Sequence, residues 1–421
     1  MLRILLIDDA PEKIAKYREL LGEIDEINPQ FVSVATCVEH AEELVSKEQF
    51  DLAILDLYIP ARFGEEPSPN NAVAFLKDLS MDDELMMPYN VVGITRWKDA
   101  DPKYKDFFES HLLAYILYEQ NSDDWKEKLR NKISFLTKAQ KSVRNQEIYD
   151  YDVAIVNALG AENEKVREVF GLDDWHREEI PSDKSTTYYT KIVSNEKKDR
   201  IRIVTCHALQ MASTASAALT TKLLYYFRPK YLFMTGIAAA TNREEINLGD
   251  VMVATKVWDG ASGKIKSDED GNSFFYPDYH ELSLDTDMQA TVVRLKQERT
   301  ILNGIEEGFT FKAGKPDTKL HVHLGPIASV PAVLSSKDEV DKIQKHCRKL
   351  LGIEMEGYGM FYAANNSAHP RPKYTMLIKS VSDYADPNKS DNYQEYAMYT
   401  SAAFARHIIL NELQYEKRLD I

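Results

Sequence analysis

Cysteine is scarce in this chain. The 421 residues hold three, Cys37, Cys206 and Cys347, too few and too far apart for a disulfide framework or a cysteine-based zinc site. That scarcity suits a reducing compartment, and a cytoplasmic protein is expected. Long apolar runs are missing as well. None approaches the about 20 residues that a membrane helix needs, so no membrane partner is expected. The opening run Leu2–Ile7 stops at Asp8-Asp9 and reads as a buried strand rather than a secretion signal. Positive charge is also in deficit: 52 Lys and Arg face 67 Asp and Glu, for a net charge of −15. A broad nucleic-acid-binding surface is therefore not expected. What remains is a hydrophobic content of 44% and a charged content of 28%, ordinary for a soluble globular protein. The length allows two or three domains with sizeable cores.

The first third alternates strand and helix signals. Ile4–Ile7 reads as a parallel strand ending at Asp8-Asp9. A helix follows, with Pro11 in its first turn and Ile14, Tyr17, Leu20 and Leu21 at helical spacing. Further strands are expected at Phe31–Ala35, Leu52–Leu55 and Val91–Ile94, the last two ending at Asp56 and Thr95, with a helix at Ala41–Val45 between the first two. Such a succession implies a doubly wound α/β sheet with acidic groups gathered at strand C-termini. Asp8, Asp9 and Asp56 would then form a hard oxygen site for a divalent cation beside a phosphate, and one carboxylate could accept a phosphoryl group. These residues resemble the receiver domain of bacterial response regulators over about residues 1–145. The resemblance implies a flavodoxin-like fold, Mg²⁺ held by Asp8, Asp9 and Asp56, phosphorylation at Asp56 by an upstream histidine kinase, and Thr95 as the switch hydroxyl. One departure stands out: Tyr118 falls where that family carries a phosphate-binding lysine. The stripe Trp125, Leu129, Ile133 and Leu136 reads as a closing helix packed on the core, and the polar run Lys138–Glu147 as the linker.

A second series of strand signals begins at Tyr151–Val156. Its ordered motifs are Ala158-Leu159-Gly160-Ala161-Glu162, Thr235-Gly236-Ile237-Ala238-Ala239, the run Leu248–Ala254, Gly325–Val330, Ile353-Glu354-Met355-Glu356-Gly357 and Val381-Ser382-Asp383. Small residues such as Gly236 and Ala238, on either side of Ile237, let backbone approach a flat ligand. The carboxylates stand where apolar strands end, and ligands of α/β sheets bind at such edges. His321 and His323 could share a strand face, but no third metal ligand accompanies them. In order and spacing, residues 150–421 resemble the purine nucleoside phosphorylase superfamily, and within it the methylthioadenosine/S-adenosylhomocysteine nucleosidases. That implies a nucleoside phosphorylase-like α/β domain with a mixed central sheet, needing no cofactor for its chemistry. It also implies roles. Asp383 would be the acid at adenine N7, Glu356 the glutamate on the ribose hydroxyls, and Glu162 the base for water. Met355 would pack on the sugar, and Val333 and Leu334 would line the base. Carboxylates suit the reaction because its transition state is positively charged, and an acid working near neutrality needs surroundings that favour its neutral form.

Phosphorylases of this superfamily place arginines near the turn that here reads Cys206-His207-Ala208-Leu209-Gln210, without arginine, so hydrolysis is the expectation. A receiver joined to a nucleosidase resembles the Detocs-type effectors of phage defence, which strip adenine from ATP and related nucleotides. Cations near the 5′ end would then be needed. Lys264, Lys379 and Lys389 are the candidates, with Tyr393 bordering that end, and a homo-oligomer is implied by the superfamily. Two alternatives stay open: a salvage nucleosidase or phosphorylase acting on methylthioadenosine or nucleosides, and a non-catalytic nucleotide sensor.

Overall fold

The computed structural model describes residues 2–96, 107–108, 110–111, 113–145, 148–267, 271, 273–310, 314–332, 337–368, 370–386 and 391–415. The chain forms two compact units, residues 1–145 and 146–421.

In the first unit, β1 (Ile4–Ile7), β2 (Val32–Ala35), β3 (Leu52–Asp56), β4 (Val91–Thr95) and β5 (Ala114–Leu117) make one sheet in the order β2-β1-β3-β4-β5. Every pairing is parallel. This is the order of flavodoxin-type doubly wound sheets. The strands are apolar on both faces because both are covered. Ile4, Leu6, Leu52, Ile54 and Val92 pack with Tyr17, Leu20 and Leu21 of helix Pro11–Gly22 and with Trp125, Leu129 and Ile133 of helix Asp124–Asn145. Leu5, Ile7, Ala53 and Leu55 point the other way, onto helices Val38–Val45 and Pro69–Met81. The closing helix runs to Asn145, so most of the stretch expected as linker is helical. Its lysines, glutamine and arginine are good helix formers.

The second unit is built on a ten-stranded mixed sheet. Its strands are β6 (Tyr151–Asn157), β7 (His176–Glu178), β8 (Tyr188–Ser194), β9 (Arg200–His207), β10 (Pro229–Ala240), β11 (Val251–Asp259), β14 (Glu281–Ser283), β15 (Val322–Ser329), β16 (Gly352–Glu354) and β17 (Tyr374–Asp383). A separate ribbon pairs β12 (Gly263–Ser267) with β13 (Ser273–Pro277). Strand β10 pairs in parallel with β6 and β17 and antiparallel with β16, while β17 pairs with β11, β11 with β15 and β15 with β16. The pairings β10-β17-β11-β15-β16-β10 therefore close a circuit. One side of the sheet packs against helices Thr286–Leu295 and Gln394–Asn411, the other against helices Ser213–Phe227 and Gly357–Asn366. A shift in register at Ala238/Ala239 brings Asp383 opposite Ala239. Such a bulge re-aims the side chains that follow it.

A candidate active site at the strand ends, and an acidic cluster in the first unit

The ends of β6, β10, β16 and β17 meet at one cavity. Its lining includes Ala158, Glu162, Ile237, Ala238, Glu356 and Asp383. Glu162 comes from the first turn of helix Gly160–Val169, which starts directly after β6. Its Oε2 accepts hydrogen bonds from the backbone N–H groups of Ala158 and Leu159 at 2.9 and 3.0 Å, and its Oε1 from Ile237 at 2.9 Å. The carboxylate thus ties the helix N-terminus to β10. Gly236 makes room for it. A Cβ there would stand 2.0 Å from Glu162 Oε1, and its φ of +151° is one that side chains rarely adopt.

Glu356 sits just after β16, 4% exposed. Its Oε1 accepts the N–H of Ala212 at 3.1 Å. Ala212 itself adopts φ +95° at the N-cap of helix Ser213–Phe227, a cost sustained by its surroundings. The neighbouring Glu354 is also buried. Its Oε2 accepts from the N–H groups of Glu356 and Gly357 at 2.8 and 2.7 Å, and its Oε1 accepts the Ser329 hydroxyl. Burial pushes the Glu354 carboxyl up, partly opposed by the Lys379 charge. Asp383 ends β17. Its Oδ1 accepts from the Ala385 N–H at 2.9 Å and its Oδ2 from the Ser382 hydroxyl at 2.9 Å, so each of its two oxygens has a donor.

Lys379 joins these groups. It is 1% exposed, with Nζ 4.0 Å from Glu162 and 3.6 Å from Glu356. Burial alone would lower its pKa, but Glu162, Glu356 and Glu354 reverse that and hold the ammonium above its ordinary range. Expected as a phosphate contact, Lys379 does line the cavity, but its charge is directed at two carboxylates. Met355 and Ala238 line the same cavity, as does Gln394 beside Tyr393. Tyr393 is half-buried at the start of helix Gln394–Asn411. Lys264 is exposed on the β12–β13 ribbon and is not among the residues that line the cavity. A lysine on a two-stranded ribbon with solvent on its faces has nothing to draw it inward. Val333, Leu334 and Lys389 lie outside the described residues. The His321–His323 pair serves Asp250, whose oxygens accept the His321 N–H at 2.8 Å and meet His323 Nε2 at 2.8 Å.

In the first unit, Asp8, Asp9 and Asp56 converge as their placement at strand ends required, each offering an oxygen within 4.8 Å of the others. Thr95 is buried at the end of β4. Sequence reasoning did not bring in Lys13. Its ammonium lies 2.6 Å from Asp8 and 2.5 Å from Asp56 and is fully buried. Burial pushes the Asp56 carboxyl up to about 6, with Lys13 pulling against it. Three carboxylates suit a hard divalent ion. With Asp8 and Asp56 each directing an oxygen to an ammonium, however, the arrangement does not fit an ion bridging that pair.

Over 417 residues, 97% of this chain and 98% of the other, the sequence is 27% identical to the uncharacterised protein y4jS of Sinorhizobium fredii. The ATP nucleosidase Cap17 of Escherichia coli is 24% identical over 263 residues, which are 61% of this chain and 50% of that protein. A death domain-containing ATP nucleosidase of Amphimedon queenslandica is 25% identical over 210 residues, 48% of this chain and 37% of that one. The chain thus spans half or less of the length of these two nucleosidases. The model of the Phosphorylase superfamily matches residues 152–411, the ten-stranded sheet with its helices and every carboxylate of the cavity, and the chain belongs to that superfamily.

Proposed function

We propose that the second unit hydrolyses the N-glycosidic bond of an adenine nucleotide, with ATP giving adenine and ribose-5-triphosphate. The observation that carries this reading is that Glu162, Glu356 and Asp383, from three separate chain segments, line one cavity. Asp383 would give its proton to adenine N7 as the C1′–N9 bond breaks. Glu356 would hold the ribose hydroxyls and face the cationic sugar. Glu162 would take a proton from the water whose oxygen bonds to C1′. Lys379 offsets the mutual repulsion of Glu162 and Glu356 from below. A water base, rather than an arginine-lined phosphate pocket, favours hydrolysis over phosphorolysis. The preference for ATP rests on the relatives named ATP nucleosidases.

The first unit would act as a receiver, phosphorylated at Asp56 by a histidine kinase, with Thr95 as its switch. Basal cleavage would be low and raised by phosphotransfer, as suits a phage-defence effector working as a cytoplasmic homo-oligomer. The test is incubation with ATP, AMP, adenosine and methylthioadenosine, with free adenine measured by chromatography, with and without beryllofluoride. Adenine release from ATP above the others supports the proposal. Preference for methylthioadenosine would make the protein a salvage enzyme, and no release from any would make it a sensor.

A further inference from the structure

The acidic cluster of the first unit holds a cation of its own. Lys13 is fully buried, and an ammonium without partners in such a place is prohibitive. Its burial is intelligible because Asp8 and Asp56 meet it at 2.6 and 2.5 Å. The helix fixes it there: Lys13 N bonds back to Ala10 O at 3.0 Å, in the first turn after the chain leaves Asp8 and Asp9. Asp8 is further held by the Ala10 N–H at 2.9 Å and the Tyr17 hydroxyl at 3.4 Å.

Tyr118 completes the picture. It is buried at the end of β5, its ring edge-on to Tyr17 and tilted on Trp125 at 5.0 Å. Three cations surround that ring: Lys13 at 5.6 Å, Lys16 at 5.9 Å and Arg96 at 5.4 Å from its centre. Aromatic faces favour such neighbours. A lysine at position 118 would instead set a fourth positive charge among these three. Lys13 and Tyr118 thus belong together, one supplying the charge and the other the wall against which it rests.

We infer that Lys13 is the resident cation of this cluster: it neutralises Asp8 and Asp56 from the first helix, in place of a basic residue at position 118, and a divalent ion can bridge the two aspartates only by displacing it. The inference draws its regulatory meaning from the receiver reading, but its test does not depend on that reading. Mn²⁺ is titrated into the full-length protein and followed by loss of the free-ion electron paramagnetic resonance signal. Wild type should bind at least about tenfold more weakly than Lys13→Gln, since tenfold corresponds to roughly 1.4 kcal/mol and displacing a buried ion pair costs more. Lys13→Arg, which keeps the charge, should bind as weakly as wild type. Equal affinity in wild type and in folded Lys13→Gln overturns the inference. Should Lys13→Gln not fold, wild type decides alone. Its thermal midpoint should be the same in excess Mg²⁺ as in chelator, and clear stabilisation by Mg²⁺ overturns the inference. Adenine release and labelling of Asp56 by acetyl phosphate, read on the same samples, report separately on the nucleosidase and receiver readings.

Discussion

Each unit of this chain places a lysine, Lys13 or Lys379, among the carboxylates of its cluster, and the two lysines are used differently. Lys13 touches both of its partners at 2.6 and 2.5 Å, where Asp8 also accepts the Ala10 N–H and Asp56 the Tyr58 N–H. Lys379 stands off at 4.0 and 3.6 Å from Glu162, which accepts three backbone N–H groups at 2.9 to 3.0 Å, and from Glu356, which accepts one at 3.1 Å. In the first case the lysine closes the cluster. In the second, three backbone N–H groups hold Glu162, the lysine balances the charge of both carboxylates, and all three side chains line an open cavity. Which atoms take up a carboxylate's lone pairs decides whether a buried acid is locked or available for chemistry.

The comparison is broken most severely by removing the open carboxylates. Asp383→Asn and Glu162→Gln should each lower kcat for adenine release by ~10²–10⁴-fold, the span of a positioned acid or base. Asp383→Asn should fold as wild type, because an amide can still accept from the Ala385 N–H. Near wild-type turnover in both variants would remove these residues from the mechanism.

Next come the lysines. Lys13→Met strands two buried carboxylates and should cost the first unit about 3–5 kcal/mol, measured by denaturant unfolding in chelator. Lys379→Met should cost less, at most ~3 kcal/mol, because it stands farther from its partners and Glu162 keeps three backbone donors. It should nonetheless depress kcat, by letting Glu162 and Glu356 repel each other. If Lys379→Met proved the more destabilising of the two, the distinction between a locking and a balancing lysine would fail.

Gly236→Ala probes the space behind Glu162. The new methyl would meet a carboxylate oxygen at 2.0 Å in a backbone conformation at φ +151°, so a loss of about 1–3 kcal/mol is expected. Turnover should fall with it, since Glu162 must move. Unchanged unfolding midpoint and kcat would mean that the helix start can shift freely, contrary to its three backbone bonds.

How much of this could be read from the chain follows the same physics. Asp8, Asp9 and Asp56 were legible because each follows an apolar run, and a parallel sheet brings such ends to one edge. Glu162, Glu356 and Asp383 were legible as motifs for the same reason. Lys379 was visible, but its partners were not: it lies opposite Gly236 in the β10–β17 register, and register is a long-range property. Lys13 carried a signal that went unread. It shares a helix face with Tyr17 and Leu20, all of them buried, and a lysine on an apolar stripe asks for an acid. The helix through Asn145 was missed because a polar surface helix and a linker share a composition.

The smallest effect concerns Glu354, which lines the open site beside Glu162, Glu356 and Asp383. Lys379 pairs with Glu162 and Glu356, and burial raises the Glu354 carboxyl above its ordinary value of 4.5. The folded state therefore holds this proton more tightly than the unfolded chain does. The stability that the proton lends is fully present below about pH 4.5 and is lost as pH rises through the folded-state value. Glutamine cannot titrate, yet its carbonyl oxygen can still accept from the Glu356 and Gly357 N–H groups. The stability of Glu354→Gln relative to wild type should therefore improve between pH 5 and pH 8, while kcat stays within a few-fold. Denaturant midpoints of both proteins at the two pH values check this. A constant gap would mean that Glu354 stays charged throughout, and that one lysine serves three carboxylates rather than two.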